Sequence, residues 1–428
     1  MKWKKLNGQI HLWLGLLSGI VVFIVGITGC FYVFRDELIK LTTERDLVLK
    51  QQSEKPYLAP SILINEAKKY NKGQQPNTIR YETGKACWIP FFGENERFEV
   101  FLNPYDGHLV KTKHWKKGDP DKFDFFGWAL DGHLNLWLPF KIGRPIVSYG
   151  ILIFAIELLT GLILWWPKNL KKQNVEKSFT VKWKAKFKRL NYDLHNVLSF
   201  YTLTIALMIA ITGLVYSFQW VSASLYWVAS AGGKPMKFDP VFSDTTYTET
   251  AQHNIEDQLW KRFWIDSLSG KGSLYIGIPK TAKDTWFVNM NRSPGTLYRQ
   301  EIYYFDKNTG KELQGGGVYS KSRYSTANFA QKGDRMNYDL HVGSFWGLPT
   351  KILWFFISFI TASLPITGFL IWYNRKWGKK KKRAKYKRHL PETNAQMNDV
   401  ARESSPFKRY SVMTTIKSTD EDRNSKHA

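Results

Sequence analysis

Cysteine is almost missing from this 428-residue chain: Cys30 and Cys87 are its whole complement. Two thiols build neither a disulfide framework nor a thiolate metal cluster. Both fall where a disulfide would be chemically permitted, yet the plainer expectation is that they stay unpaired. Carboxylates are scarce as well, 36 Asp and Glu against 62 Lys and Arg, for a formal net charge of +26. Charge of either sign is absent from 9–34, 196–219 and 352–373, and the stretch 145–166 carries a single charge, Glu157. A helix rises about 1.5 Å per residue, so about 20 residues cross a hydrocarbon core of about 30 Å. All four stretches reach that length, which excludes an ordinary soluble enzyme. A flavin or nicotinamide fingerprint is missing too: "GKGSLYIG" at Gly270–Gly277 reads as a strand-rich segment, not a strand-to-helix phosphate turn.

The positive charge is placed, not spread. Lys2, Lys4 and Lys5 precede the first apolar stretch, Lys168 to Arg189 separate the second from the third, and a run of Lys and Arg follows the fourth. This alternation fits the positive-inside rule with both termini in the cytoplasm. An anionic leaflet accounts for the charge, and no nucleic-acid partner is expected. Trp13, Trp165, Trp166, Trp220, Trp372 and Tyr373 read as interfacial anchors. The apolar run at the N-terminus is too long for an ordinary cleaved signal. "ITGC" at Ile27–Cys30 looks like a lipoprotein-processing box, but its Thr-Gly pair recurs in the other three stretches, so cleavage is not expected.

The organisation expected is an α-helical integral membrane protein, multi-pass in a bacterial inner membrane. Helices at 9–34, 145–166, 195–219 and 352–373 alternate with outer segments 35–144 and 220–351, a basic inner loop 167–194 and a basic inner tail 374–428. The tail is polar and expected to be disordered. Its "LPETN" at Leu390–Asn394 is not read as a sortase signal, because no apolar segment follows it.

The chain is also written twice. Each apolar stretch carries one Thr-Gly pair: Thr28-Gly29, Thr160-Gly161, Thr212-Gly213 and Thr367-Gly368. His11 stands 17 residues before Thr28, and His195 stands 17 before Thr212. His133 stands 27 before Thr160, and His341 stands 26 before Thr367. "NYDLHNVLSFY" at Asn191–Tyr201 is echoed by "NYDLHVGSFWG" at Asn337–Gly347, and Asn7 likewise stands four before His11. Self-similarity of this kind marks a duplication. The outer segments match too: a short helix at Leu58–Tyr70, then strand and turn patterns at Arg97–Val110 and again at Glu301–Leu313. Each half is therefore expected to be helix, outer α+β module, helix.

Four of the nine histidines hold matching places, His11 and His195 at the inner ends of helices, His133 and His341 on the outer side. One such residue met alone would be an interfacial side chain with a satisfied ring. Ionisable groups near a bilayer are costly and usually functional, and neutral imidazole is a common axial ligand of haem iron. Facing pairs at two depths would hold two haems. His11 and Thr28 lie about 26 Å apart along a helix, so the two levels cannot share one ion. Gly15 and Ser199, one turn past the inner histidines, are expected to leave room for a porphyrin edge, although Gly15 and Gly19 suit plain helix packing equally. Glu157 is either a proton-carrying or quinol-contacting acid, or simply a hydrogen-bonded one. His108, His114, His253, His389 and His427 have no duplicated partner and are expected in solvent.

A membrane histidine leading an apolar run to "ITG" or "LTG", with outer modules ending in "NPYDGHLV" and "YYFDKNTGKEL", resembles the PepSY-associated transmembrane helix family. The resemblance covers roughly Lys4 to Trp377. Members are often called iron-regulated membrane proteins and include inner-membrane ferric-siderophore reductases. The resemblance implies periplasmic PepSY-like modules, haem b, and electron delivery to the periplasm to reduce a ferric siderophore or other iron chelate. It carries the haem-ligand role to His11, His195, His133 and His341. The donor would be external, a membrane quinol or a cytoplasmic reductase. Arg35, Lys141, Arg144 and Lys351 are candidates to neutralise haem propionates, or are ordinary interfacial cations. Two other classes remain: a membrane-tethered PepSY binder or protease regulator without redox activity, and a chelate transporter.

Overall fold

The computed structural model describes residues 2–42, 44–49, 55–118, 124–167, 169, 171–246 and 254–388. His253, His389, His427 and "LPETN" lie outside them; of the tail 374–428 expected to be disordered, 374–388 are helical, a continuation of the last apolar helix, and 389–428 lie outside the described residues. Contacts divide the chain into Met1–Trp372 and Tyr373–Ala428, and the fold below is that of the first unit.

Helix α1 (Lys2–Tyr32) leads through α2 (Arg35–Thr42) to α3 (Pro60–Lys68) and the strands β1 (Thr78–Glu82), β2 (Cys87–Phe92), β3 (Glu96–Leu102) and β4 (Leu109–Lys116). Helix α4 (Phe125–Asn135) turns into α5 (Phe140–Trp165). After α6 (Lys172–Phe179) the order repeats, with α7 (Phe187–Val215), α8 (Gln219–Ala229) and α9 (Ile255–Trp260). Strands β5 (Ser273–Gly277), β6 (Trp286–Asn291), β7 (Gln300–Phe305) and β8 (Glu312–Leu313) follow. The half closes with α10 (Val318–Lys321), α11 (Phe329–Val342) and α12 (Leu348–Arg388).

The four apolar stretches form α1, α5, α7 and the first part of α12, each long and apolar enough to cross a membrane. Only 22–33 % of their apolar windows is buried by protein, and Leu17 and Ile20 are 70 % and 74 % exposed. Water would penalise such a surface and hydrocarbon does not. This is a multi-pass membrane protein. The helices meet midway in a plug of Val22, Phe154, Leu158, Ala206, Ala210 and Ile357, with all four contributing. Glycine sets the approach on α1: a Cβ at Gly26 would lie 2.9 Å from that of Ala362. Of the expected interfacial anchors, Trp13, Trp166 and Trp220 are exposed, but Trp165 is buried. Its ring stacks on Phe200 at 3.7 Å, and its Nε1 donates to the Ser178 carbonyl.

The α+β modules expected in each half are not separate. All eight strands form one antiparallel sheet in the order β4-β3-β2-β1-β5-β6-β7-β8. The halves join where β1 pairs with β5, Ile79 opposite Ile276 and Tyr81 opposite Leu274. These four side chains are fully buried, in a core with Leu63 of α3, Leu259 of α9 and Trp264 beyond it. Either half alone would present its first strand as an apolar edge, the kind that recruits another strand.

Ile79→Ala should therefore destabilise both halves together. A buried Ile truncated to Ala costs about 2–5 kcal/mol. The expected result is a lower unfolding midpoint with faster amide exchange in 273–277 as well as 78–82. Faster exchange in the first half alone would contradict a shared core.

Candidate functional site

The Thr-Gly pairs and the histidines turn out to be two parts of one device. On α1, His11 reaches across to α5, where its Nδ1 lies 3.0 Å from Thr160 Oγ1. In the other half His195 on α7 makes the same contact, 3.0 Å to Thr367 Oγ1 on α12. The histidines at the sheet end reciprocate. His133 on α4 has Nδ1 3.5 Å from Thr28 Oγ1 and 2.9 Å from the Val25 carbonyl. His341 on α11 has Nδ1 3.1 Å from Thr212 Oγ1 and 3.1 Å from the Ile209 carbonyl.

Each threonine has already given its proton away. Thr28 donates to the Ile24 carbonyl at 2.7 Å, Thr160 to Glu157 at 2.9 Å, Thr212 to Met208 at 2.8 Å and Thr367 to Leu364 at 3.0 Å. What remains toward the ring is an acceptor. A neutral imidazole has one donor and one acceptor nitrogen, so Nδ1 carries the hydrogen and Nε2 keeps a bare lone pair. Among the described residues no hydrogen bond is made by any of the four Nε2 atoms. Fixing one ring nitrogen through a hydrogen bond is how proteins present the other to a metal.

The glycine of each pair makes the space. A Cβ at Gly29, Gly161, Gly213 or Gly368 would stand 3.1–3.2 Å from Cε1 of His133, His11, His341 or His195 respectively. In three of the four places an asparagine one turn before the histidine ties down the same threonine: Asn7 donates to the Thr160 carbonyl at 2.9 Å, Asn191 to Thr367 at 3.0 Å and Asn337 to Thr212 at 3.2 Å. Ala129 takes that place before His133.

The rings then meet across the halves. His11 and His195 have centroids 6.4 Å apart with planes at 70°; His133 and His341 stand 6.1 Å apart at 65°. A metal–imidazole bond of about 2.0 Å, added to about 1.1 Å from nitrogen to ring centre, would place two imidazoles sharing one metal from opposite sides about 6.2 Å apart. Both pairs fit that separation. No third His, Cys, Asp or Glu joins either pair among the described residues. Two imidazoles alone suit a metal whose other ligands belong to a planar macrocycle, whereas tetrahedral zinc takes four ligands. Burial pushes the His133 and His341 imidazoles below their ordinary range, His341 to about 4, and the nearby Arg144 charge acts the same way. Both are therefore neutral at pH 7, with the lone pair available.

The surroundings sort the remaining candidates. Lys351 is buried and bound to Glu37 at 2.9 Å, and Arg35 pairs with Asp36. Lys141 is exposed. Arg144 lies near enough for its charge to act on both sheet-end histidines and makes no ion pair among the described residues. Glu157 accepts from Ser18 Oγ at 3.2 Å. The space beside Gly15 belongs to that carboxylate: a Cβ there would lie 2.4 Å from Glu157 Oε1. Gly15 thus accommodates an acid rather than a macrocycle edge. Ser199 bonds to the Asn196 carbonyl of its own helix. His108 and His114 are exposed beside Asp106 and Glu96. Cys30 and Cys87 are free and buried.

Two features escaped sequence reasoning. Helix α11 is strapped to the sheet by fully buried Asp339 and Arg335. Asp339 accepts from the Leu297 and Tyr298 amides at 3.0 and 2.8 Å. Arg335 donates to the carbonyls of Tyr298 and Ser322, both at 2.9 Å. The matching Asp131, two residues before His133, instead accepts from Asn135 within α4. The second feature is a cavity of about 880 Å³ between the polar face of the sheet and α2, with Tyr338, one turn before His341, in its wall.

The chain matches the family model of the PepSY-associated TM region over residues 9–375. No curated protein matches it.

Thr160→Val keeps the shape and removes the acceptor. The 15N shifts of the His11 imidazole, which separate the two neutral tautomers, should show a loss of the Nδ1–H form there and no change at His195. An unchanged His11 would mean that Thr160 does not select the tautomer.

Proposed function

The chain belongs to the PepSY-associated transmembrane-region family, and from that premise we propose a di-haem b electron-transfer protein that reduces a ferric chelate, a ferric siderophore by class. The observation that carries this reading is four imidazoles with Nδ1 engaged and no hydrogen bond at Nε2 among the described residues, in two pairs with ring centroids 6.4 and 6.1 Å apart. His11 and His195 would hold one haem, His133 and His341 the other. Haem b, when bound, supplies a one-electron Fe(III)/Fe(II) couple at each level.

The chain's own residues do the rest. Thr28, Thr160, Thr212 and Thr367 orient the rings and fix their tautomer. Arg144 supplies a counter-charge for a propionate beside the sheet-end pair. The apolar plug between the levels keeps water and ions from crossing. In the net reaction an external donor, a membrane quinol or a cytoplasmic reductase, gives up one electron, and the chelated Fe(III) gains it. Fe(II) is held far less tightly by hard oxygen donors, so the metal is released. The basic flanks support an inner-membrane orientation with both termini in the cytoplasm and the sheet in the periplasm.

Spectroscopy tests the reading directly. Detergent-purified protein, oxidised and then reduced with dithionite, should give a low-spin b-type spectrum with about two haems per chain. His11→Ala and His133→Ala should each remove about one haem and leave the other. Colourless protein from haem-replete cells, with both variants behaving as wild type, would favour a PepSY binding protein without redox activity.

A further inference from the structure

Resting on that reading, the geometry points to the cavity above α2 as the docking chamber of the chelate, and to a chelate of net negative charge bearing aryl rings. The sheet buries one face against α3 and α9 and turns the other toward the membrane helices, and this second face is the polar one. Six cations and four carboxylates line the cavity. Every carboxylate is already engaged: Asp36 by Arg35, Glu82 by Arg80 and Lys85, Glu44 by Lys85, and Glu99 by Arg97. Two cations are left over. Lys40 makes no ion pair among the described residues, and Lys113 lies 5.1 Å above the Phe101 ring instead of on an acid. The chamber therefore offers surplus positive charge to whatever enters it.

Aromatic rings stand in its wall beside the aliphatic Ile39, Leu47 and Leu297. Trp88, Tyr275, Phe287 and Tyr338 contribute rings to the wall, and Trp88 is oriented by its Nε1 donating to Glu99 at 3.1 Å. Flat rings favour stacking on flat ligands. The volume suits a small-molecule ligand, for which pockets run from about 300 to about 1,000 Å³. Tyr338 connects the chamber to the redox level, because residues three apart share a helix face and His341 is the next turn. A tris-catecholate chelate, a trianion with three aryl rings around the metal, satisfies every one of these features. A tris-hydroxamate chelate, neutral and without obligatory rings, satisfies only the size.

Gallium(III) chelates test this without redox chemistry, because gallium takes no electron. Titration calorimetry on the full-length protein in detergent would compare a gallium tris-catecholate with a gallium tris-hydroxamate. The catecholate should bind about tenfold or more tighter at low ionic strength, and the preference should shrink as salt rises from about 0.02 M to about 0.5 M. The double variant Lys40→Gln with Lys113→Gln should weaken the catecholate by about tenfold and leave the hydroxamate unchanged. Equal affinities, or a preference that survives the double variant, would overturn the assignment. The haem spectrum of the same preparations separates the two readings. Selective gallium binding by colourless protein would uphold the chamber and discard electron transfer; haem-loaded protein without selectivity would discard the chamber alone.

Discussion

A threonine hydroxyl in a transmembrane helix has few partners, and the usual one is the carbonyl a turn behind it. Here that contact does more than satisfy the hydroxyl. By committing the proton to its own helix, each threonine is left with lone pairs facing outward, and only a donor can be placed against them. A neutral imidazole meets the need with Nδ1–H, so the tautomer follows from the helix and not from the ring. Each half makes the contact twice, once in each direction between its paired segments. Sliding α1 along α5 would break both contacts together. The register of the helices and the chemistry of the rings are one constraint.

The duplication gains its meaning from how the halves meet. Within a half, the contacts are those between threonine and histidine. Between halves lie the facing imidazoles and the β1–β5 pairing. A single half would own one histidine at each level, facing nothing, and an open apolar strand. Joining two halves completes both ring pairs and closes the sheet core in the same act. This is why the sheet cannot be described as two modules: its centre is the seam, and the seam continues down to both histidine levels.

Much of this was readable in advance, and the limits were physical. Charge-free runs of about 20 residues have one common explanation, and the spacing of His and Thr-Gly exposed the repeat. What the spacing could not say was which threonine serves which histidine. Seventeen residues separate His11 from Thr28 on one helix, so they never touch; the partner is Thr160, on another helix. Gly15 reads equally as room for a cofactor edge or as plain helix packing, because a neighbouring helix cannot be seen from one stretch, and Glu157 of α5 occupies the space. Of the inner strands, β5 falls in the strand-rich Gly270–Gly277, but β1, β2 and β6 were missed because they are five or six residues long and β2 contains Pro90. Their identity depends on pairing across almost two hundred residues, Ile79 with Ile276. The Arg335 and Asp339 strap was invisible for the same reason: charged residues in a polar helix read as solvated until the backbone groups around them are known.

The two halves differ most where the sheet meets the histidines. His341 sits on a helix held by buried charges to the loop between β6 and β7, and that loop contributes Pro294 to Leu297 to the chamber wall. Its counterpart, His133, is held against α1, with Asp131 turned back to Asn135 and Gly143 so close to the Asn135 carbonyl that a Cβ would clash with it. Buried charges are costly to leave unpaired, so Asp339 keeps the loop amides in place as firmly as they keep Asp339. Contact between chamber and histidine pair thus runs through one half of the duplication, although both histidines are anchored to membrane-spanning helices. Two copies free to diverge can divide these tasks: both rings are tied to membrane-spanning helices, and the helix of one alone is also strapped to the sheet that walls the chamber.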